Sequence, residues 1–400
     1  MEHLDFEISV GDGEGQDYHV EVLRSPAGEA QQRMTFPFSQ LDLRDRLKTL
    51  EIALLRSSSP TRRRVETSSE KEVREFGAKL FDALMAGEVR NRYDVSKHEA
   101  RQKGKGLRIK LRFESPELAS LPWEFLYDSR ADEYLCLSSD TPLVRYLELS
   151  QPIQALTVAP PLRILGMVAS PTGLDDLDVG KEQRRVEEAI QPLRDRGLVT
   201  LEWMKDTTWR ELHRMLRKQD PPWHVFHFLG HGGFDPISGE GLLILTDDDG
   251  GPRRLPARDL GRLLGDHHAL RLAVLNSCDG ARADKRDIFS STAATLVRKG
   301  TPAVVAMQYE ISDTAAVELA RSFYESVADG LPVDCALTEA RKSVTFALSN
   351  TLEWGTPVLF MRAPNGVLFD LPAAPKPPAP VIDLAAEERA EPAATGPVID

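Results

Sequence analysis

The sequence predicts an α/β protein. A mostly parallel sheet flanked by helices, over residues 160–370, follows a smaller α/β module, residues 1–155, and precedes a flexible Pro/Ala-rich tail, residues 371–400. Three observations carry this prediction. Residues 223–229 (Trp-His-Val-Phe-His-Phe-Leu) and 271–275 (Arg-Leu-Ala-Val-Leu) are short aliphatic and aromatic runs that close on small residues, the pattern of parallel strands buried on both faces. Stretches with helical spacing, 181–196 and 208–218, separate such runs, so strand and helix alternate and right-handed crossovers follow. The last stretch holds seven prolines and eight alanines between residues 371 and 400 and cannot bury enough apolar surface to fold.

Taken in order, residues 6–10 and 18–23 alternate as half-buried strands around a Gly-rich turn, an N-terminal hairpin. Residues 41–55 and 70–85 have apolar side chains at helical spacing, with Val73, Phe76, Leu80 and Leu84 on one stripe, and Gly87 ends the second helix. Residues 107–113 (Leu-Arg-Ile-Lys-Leu-Arg-Phe) alternate strictly, which predicts a strand with a basic outer face. The aromatics of residues 121–127 are expected to dock this module on the core that follows, with Trp123 assigned to packing. Residues 162–169 open that core as a strand, and Thr207 or Thr208 caps the helix over 208–218. Residues 239–251 read as a hairpin insertion. Its acidic turn, Asp247-Asp248-Asp249-Gly250-Gly251, lacks the ligand spacing of a calcium loop. In the tail, Pro-Val-Ile-Asp occurs at Pro380 and again at Pro397, and a further module or a regulatory partner is expected beyond it.

Composition narrows the function. A chain of 400 residues, 41% hydrophobic and 28% charged, can bury two cores of ordinary size. A net charge of -12, with no dense basic surface, argues against direct nucleic-acid binding. Three cysteines rule out a disulfide framework and fit a reducing compartment. Cys136 and Cys335 lack metal-ligand spacing and read as small core residues, so neither a metal nor another cofactor is expected. The N-terminus has no signal-peptide pattern and no apolar run approaches the ~20 residues of a membrane span. A cytoplasmic protein without membrane contact is the expectation.

The chemistry concentrates in two segments, each closing a predicted strand: residues 227–233 (His-Phe-Leu-Gly-His-Gly-Gly) and 275–280 (Leu-Asn-Ser-Cys-Asp-Gly). His231 and Cys278 stand 47 residues apart (278 minus 231) at carboxyl ends of strands, where catalytic groups of open α/β sheets collect. A cysteine attacks as thiolate, and a neighbouring imidazole can hold it in that form and carry its proton to a leaving amine. Gly232 and Gly280 let backbone approach a substrate, and the amides of Gly232 and Cys278 can point at a developing oxyanion. His227 alternates onto the face of His231 but lies deeper and reads as a core histidine, while His224 has no assigned role. Gly230-His231-Gly232-Gly233 is not a nucleotide site, because it lacks the phosphate-loop lysine and the dinucleotide glycine spacing.

From these two segments onward, through residues 241–247, 300–307 and 336–341, the chain resembles the CHAT domain, a bacterial branch of the caspase-like proteases that also include separase and gingipains. The resemblance covers about residues 160–370. It implies a caspase-like fold, a general base at His231 and a nucleophile at Cys278, and so a cysteine endopeptidase acting on a protein substrate. It further implies control by a partner or attached module, and a place in bacterial antiviral defence or programmed death. Two departures stand out: Tyr309 where many relatives have tryptophan, and Asn-Ser-Cys-Asp-Gly at the nucleophile turn where Ser-Ala-Cys-x-Thr-Gly is usual. Glu310 and Asp313 match two acids of a similar stretch in separase, which implies a pocket for a basic residue before the cut bond, although Ser312 or Asp313 also suits the cap of a helix starting near residue 314. The reading from another class is a catalytically silent caspase-like scaffold that binds partners through the same cleft.

Overall fold

A computed structural model describes residues 1–57, 67–148, 153–174, 177–217, 220–235, 237–276, 290–349 and 351–371. Its main sheet has eleven strands: β1 (His3–Glu14), β2 (Asp17–Arg24), β3 (Ala30–Thr35), β4 (Gly106–Phe113), β5 (Leu143–Tyr146), β6 (Leu162–Ala169), β7 (Val199–Trp203), β8 (Val225–Gly230), β9 (Leu272–Asn276), β10 (Ala303–Met307) and β11 (Pro357–Met361). They lie side by side as β7-β6-β8-β9-β10-β11-β5-β4-β1-β2-β3. Most neighbours are parallel, as predicted. The antiparallel pairs are β10–β11 in the middle and the β1–β2–β3 meander at one edge.

Among the described residues, the helices of eight residues or more are α1 (Gln40–Ser57), α2 (Ser68–Leu84), α3 (Gly87–Gln102), α4 (Val179–Asp195), α5 (Trp209–Leu216), α6 (Ala257–Gly265), α7 (Ser290–Lys299), α8 (Asp313–Ala328) and α9 (Val333–Ala347). Local sequence sets their ends. Thr67 accepts from the Glu70 amide and Glu70 accepts from the Thr67 amide, a reciprocal box that starts α2. Strand alternation then divides the core. Val225, Val274 and Val305 meet Ile190 of α4, Leu319 of α8 and Leu337 of α9 on one face. Phe226, Leu275 and Val304 meet Leu212 of α5, Leu260 of α6 and Leu296 of α7 on the other.

Two expectations need correction. The regions 1–155 and 160–370 do not form separate sheets: β5 of the first lies directly against β11 of the second, with Arg145 opposite Phe360 and Tyr146 opposite Met361. All four residues of β5 are buried, and an unpaired edge there would strand backbone donors and acceptors away from water. The second correction concerns β4, whose alternation is as predicted but whose basic face does not meet solvent. Arg108 is 3% and Lys110 1% exposed. Arg108 Nε donates to Asp334 of α9 at 2.6 Å and its Nη1 to Asp5 at 3.2 Å, while Lys110 Nζ donates to Asp5 at 2.7 Å and to the Pro364 carbonyl at 2.8 Å. Alternation separates polar from apolar faces without saying whether water or a countercharge covers the polar one.

The aromatics near residue 123 pack as expected. Trp123 is fully buried, stacks on Phe113 at 4.8 Å between ring centroids, and donates to the Leu118 carbonyl at 2.7 Å. Tail residues 372–400 lie outside the described residues.

Candidate active site

Strands β6 to β10 run in one direction and bring their carboxyl ends to one edge of the sheet. His231 follows β8 there. Gly230 allows the chain through: a Cβ at this position would lie 2.8 Å from the Phe228 ring and 3.0 Å from the Ala169 carbonyl oxygen. Beyond His231, residues Gly232–Phe234 pair antiparallel with Gly241–Thr246, which pairs in turn with Pro252–Pro256. The Ile244 amide donates to the His231 carbonyl at 2.9 Å. A second small sheet therefore fixes the backbone around His231, whose residue is 4% exposed. Gly232 is buried opposite Leu243.

Strand β9 lies beside β8, with Leu229 opposite Asn276. Asn276 ends β9 two positions before Cys278 in the chain. Residues 277–289 lie outside the described residues, and with them Cys278 in both its expected roles, and Gly280.

The segment from Gln308 to Asp313, carrying Glu310, leaves β10 at the same edge and is anchored at both ends by buried carboxylates that the sequence reading missed. Gln308 Nε2 donates to Glu124 at 3.1 Å and to the Gly355 carbonyl at 2.9 Å. Glu124 also receives both Nε and Nη2 of Arg145, at 3.0 and 2.7 Å. At the other end, the Ser312 amide and hydroxyl donate to Glu353 at 2.5 and 2.9 Å. Each acid is bracketed by large apolar residues, Trp-Glu-Phe and Leu-Glu-Trp, and that bracketing was the available signal. Ser312 is the cap of α8, accepting from the Ala315 amide. Asp313 is the first residue of that helix, and it pairs with Lys181 at 3.2 Å and with Arg185, both of α4. Beside Tyr309, a cavity of about 640 Å³ is lined by Leu43, Arg44, Leu47, Leu121 and Gln308.

The remaining histidines and thiols sort by burial. His227 is 3% exposed and its Nδ1 lies 2.5 Å from the Tyr324 hydroxyl; burial pushes its imidazole down to about 4. Burial, helped by Arg163, does the same to His224, whose Nδ1 accepts from the Arg163 amide at 3.0 Å. Burial pushes the Cys136 thiol up to about 11 and that of Cys335 up to about 12. Both are therefore expected to resist iodoacetamide at neutral pH, so that rapid alkylation of the folded protein falls on Cys278 alone. Peptide mass spectrometry reads the site, and rapid modification of Cys136 or Cys335 would refute this.

Among the described residues, no group of three or more His, Cys, Asp or Glu side chains could hold a metal, and no helix is long and apolar enough to cross a membrane.

A family model described as CHAT domain matches residues 74–360, beginning well upstream of residue 160. No curated protein matches. Solved structures with similarity include two of the Saccharomyces cerevisiae separase-securin complex, at 11% and 10% identity over 90% of this chain, with TM-scores of 0.47 and 0.46. This chain spans 30% of the separase chains it matches. A third is gingipain R, an Arg specific cysteine proteinase, at 10% identity, covering 76% of this chain and 68% of that one, with a TM-score of 0.41.

Proposed function

Because this chain belongs to the CHAT domain family, we propose that it is a caspase-like cysteine endopeptidase with Cys278 as nucleophile and His231 as base. The observation that carries this reading is the adjacency of β8 and β9, which sets His231 beside the strand end that leads to Cys278. His231 takes the thiol proton, and the thiolate sulfur attacks the scissile carbonyl carbon. The oxyanion is held by the Gly232 and Cys278 amides while His231 returns the proton to the leaving amine. Water, deprotonated by the same imidazole, then cleaves the thioester.

The substrate is a protein, and the proposal extends to control by a partner or attached module in a bacterial defence or death pathway. The test is a digest of host lysate by the purified protein and by its Cys278→Ala form, read by mass spectrometry for new peptide ends. Ends absent from the Cys278→Ala sample support the enzyme; binding of host proteins without any such ends supports the silent scaffold.

The cut is assigned to follow arginine or lysine. Glu310 lies on the anchored segment at the catalytic edge, and a carboxylate in a partly desolvated pocket favours a cation over an acid. Asp313 is paired with Lys181 and Arg185, which offset its charge toward a substrate cation. Glu310→Gln is expected to lower kcat/KM for basic peptides more than about tenfold, the scale of one charge-assisted contact, and Asp313→Asn by less. Cleavage after aspartate or small apolar residues, with Glu310→Gln fully active, would exclude this specificity.

A further inference from the structure

On the helix-covered face of the sheet, a cavity of about 30 Å³ lies between β8, β9, β10 and α8. Its walls are mostly apolar, with Val305, Leu319 and Phe323 among them, but His227, Asn276 and Tyr324 also line it. His227 Nε2 and Asn276 Oδ1 are both buried without a hydrogen-bond partner among the described residues. Two such orphans side by side would be costly, since each unsatisfied buried polar group destabilises by about 1–3 kcal/mol.

The donor and acceptor roles turn on Tyr324. Its hydroxyl is buried, burial pushes its ionisation far up, and its one hydrogen-bond neighbour among the described residues is His227 Nδ1. With the hydroxyl donating to Nδ1, which gives the buried O–H its acceptor, the neutral ring carries its proton on Nε2. Among the described residues, Nε2–H is then a donor without an acceptor, and Asn276 Oδ1 an acceptor without a donor. The register places them diagonally on adjacent strands, because His227 pairs with Val274 and Leu229 with Asn276. A space of this size admits one water, and one water accepts from Nε2–H while donating to Oδ1.

We propose that His227, oriented by Tyr324, holds the Asn276 side chain through one buried water, and that these three side chains position the strand end carrying the nucleophile. The positioning role rests on the reading of Cys278 as nucleophile. His227 lies four residues before His231 and Asn276 two before Cys278 in the chain, so the bridge ties the strand that leads to the base to the strand that leads to the nucleophile. Neither Tyr324 nor Asn276 touches substrate in this scheme; both act through the geometry of β9.

The test has two arms. Ring NMR of protein labelled with ¹⁵N-histidine, with His227→Gln used for assignment, is expected at pH 7 to show His227 as the Nε2–H tautomer and to show a shift toward Nδ1–H in Tyr324→Phe. Protonation on Nδ1 in the unaltered protein would overturn the proposal without any turnover being measured. In the second arm, Asn276→Ala and Tyr324→Phe are each expected to lower kcat about tenfold, the scale of one buried hydrogen bond, with KM within about twofold. Their double variant should be no worse than the poorer single one, as members of one unit are not additive. His227→Gln, which keeps a side-chain N–H, should retain more activity than His227→Ala. Multiplying effects, or losses confined to KM, overturn the positioning role even in variants that melt within a few degrees of the parent. Persistent cleavage by Cys278→Ala removes the protease reading and the positioning role together, whereas the water-bridged pair stands or falls on the tautomer.

Discussion

Cys278→Ala and His231→Ala are each expected to lower kcat for proteolysis on the order of 10⁴-fold or more, and the double variant is expected to be no slower than either single one. Nucleophile and base act as a unit, so removing one leaves the other without a task and the losses do not add. The backbone around His231 is held by the Ile244 amide and the small sheet, which supports retention of the fold when the ring is removed. Since His231 is buried, His231→Gln serves as a second variant that fills more of the space. Peptide hydrolysis measures activity, and circular dichroism with thermal melting separates lost chemistry from lost structure. Cleavage of the same bond by folded Cys278→Ala protein would end the dyad assignment.

Breaking the buried ion cluster on β4 is expected to have the largest effect on stability. Arg108 is clamped by Asp334 through Nε at 2.6 Å and Nη2 at 3.4 Å, and gives further bonds to Asp5 and to the Asn365 carbonyl at 2.9 Å. Arg108→Ala or Asp334→Ala leaves a partner charged and uncompensated in the interior, which costs about 3–5 kcal/mol. For a chain of this size that corresponds to a fall in Tm of roughly 5 °C. The double replacement Arg108→Met with Asp334→Leu should recover much of the loss, because well-packed apolar groups substitute for a buried pair at little cost. Scanning calorimetry decides the matter: single variants within about 2 °C of the parent would show that the pair contributes nothing.

The same residues mark what the sequence made legible. Short continuous apolar runs around Val225 and Leu272 located the central strands, and the small residues that close them located the edge where His231 sits, since burial on both faces leaves a signature in composition alone. The capping chemistry at Thr208 and Ser312 was readable for the same local reason. Pairing between distant segments was not. Nothing near Arg145 announces that Phe360 will lie beside it, and the linker-like stretch around residues 149–160 concealed the continuity of the sheet. Buried charges were hidden by their partners' distance. Arg108 finds Asp334, and Gln308 finds Glu124, across most of a domain, so alternation showed a polar face but not its cover. At the site, Glu310 and Asp313 stood out as acids, yet the Lys181 and Arg185 that face Asp313 come from a helix more than a hundred residues earlier.

The join between β5 and β11 has a consequence for how the molecule is made. During synthesis, β5 leaves the ribosome long before residues 357–361, so one flank of the nascent sheet stays open while over two hundred further residues are added. Pairing so remote in sequence closes slowly, because a long loop must be ordered before its contacts form. Through that interval the nascent chain presents an apolar, unpaired strand edge, the kind of surface that draws other chains into aggregates. A truncated product ending near residue 155 keeps that edge permanently. The amino-terminal third is thus an unripe half of one sheet, its edge covered only when the strand that completes it arrives.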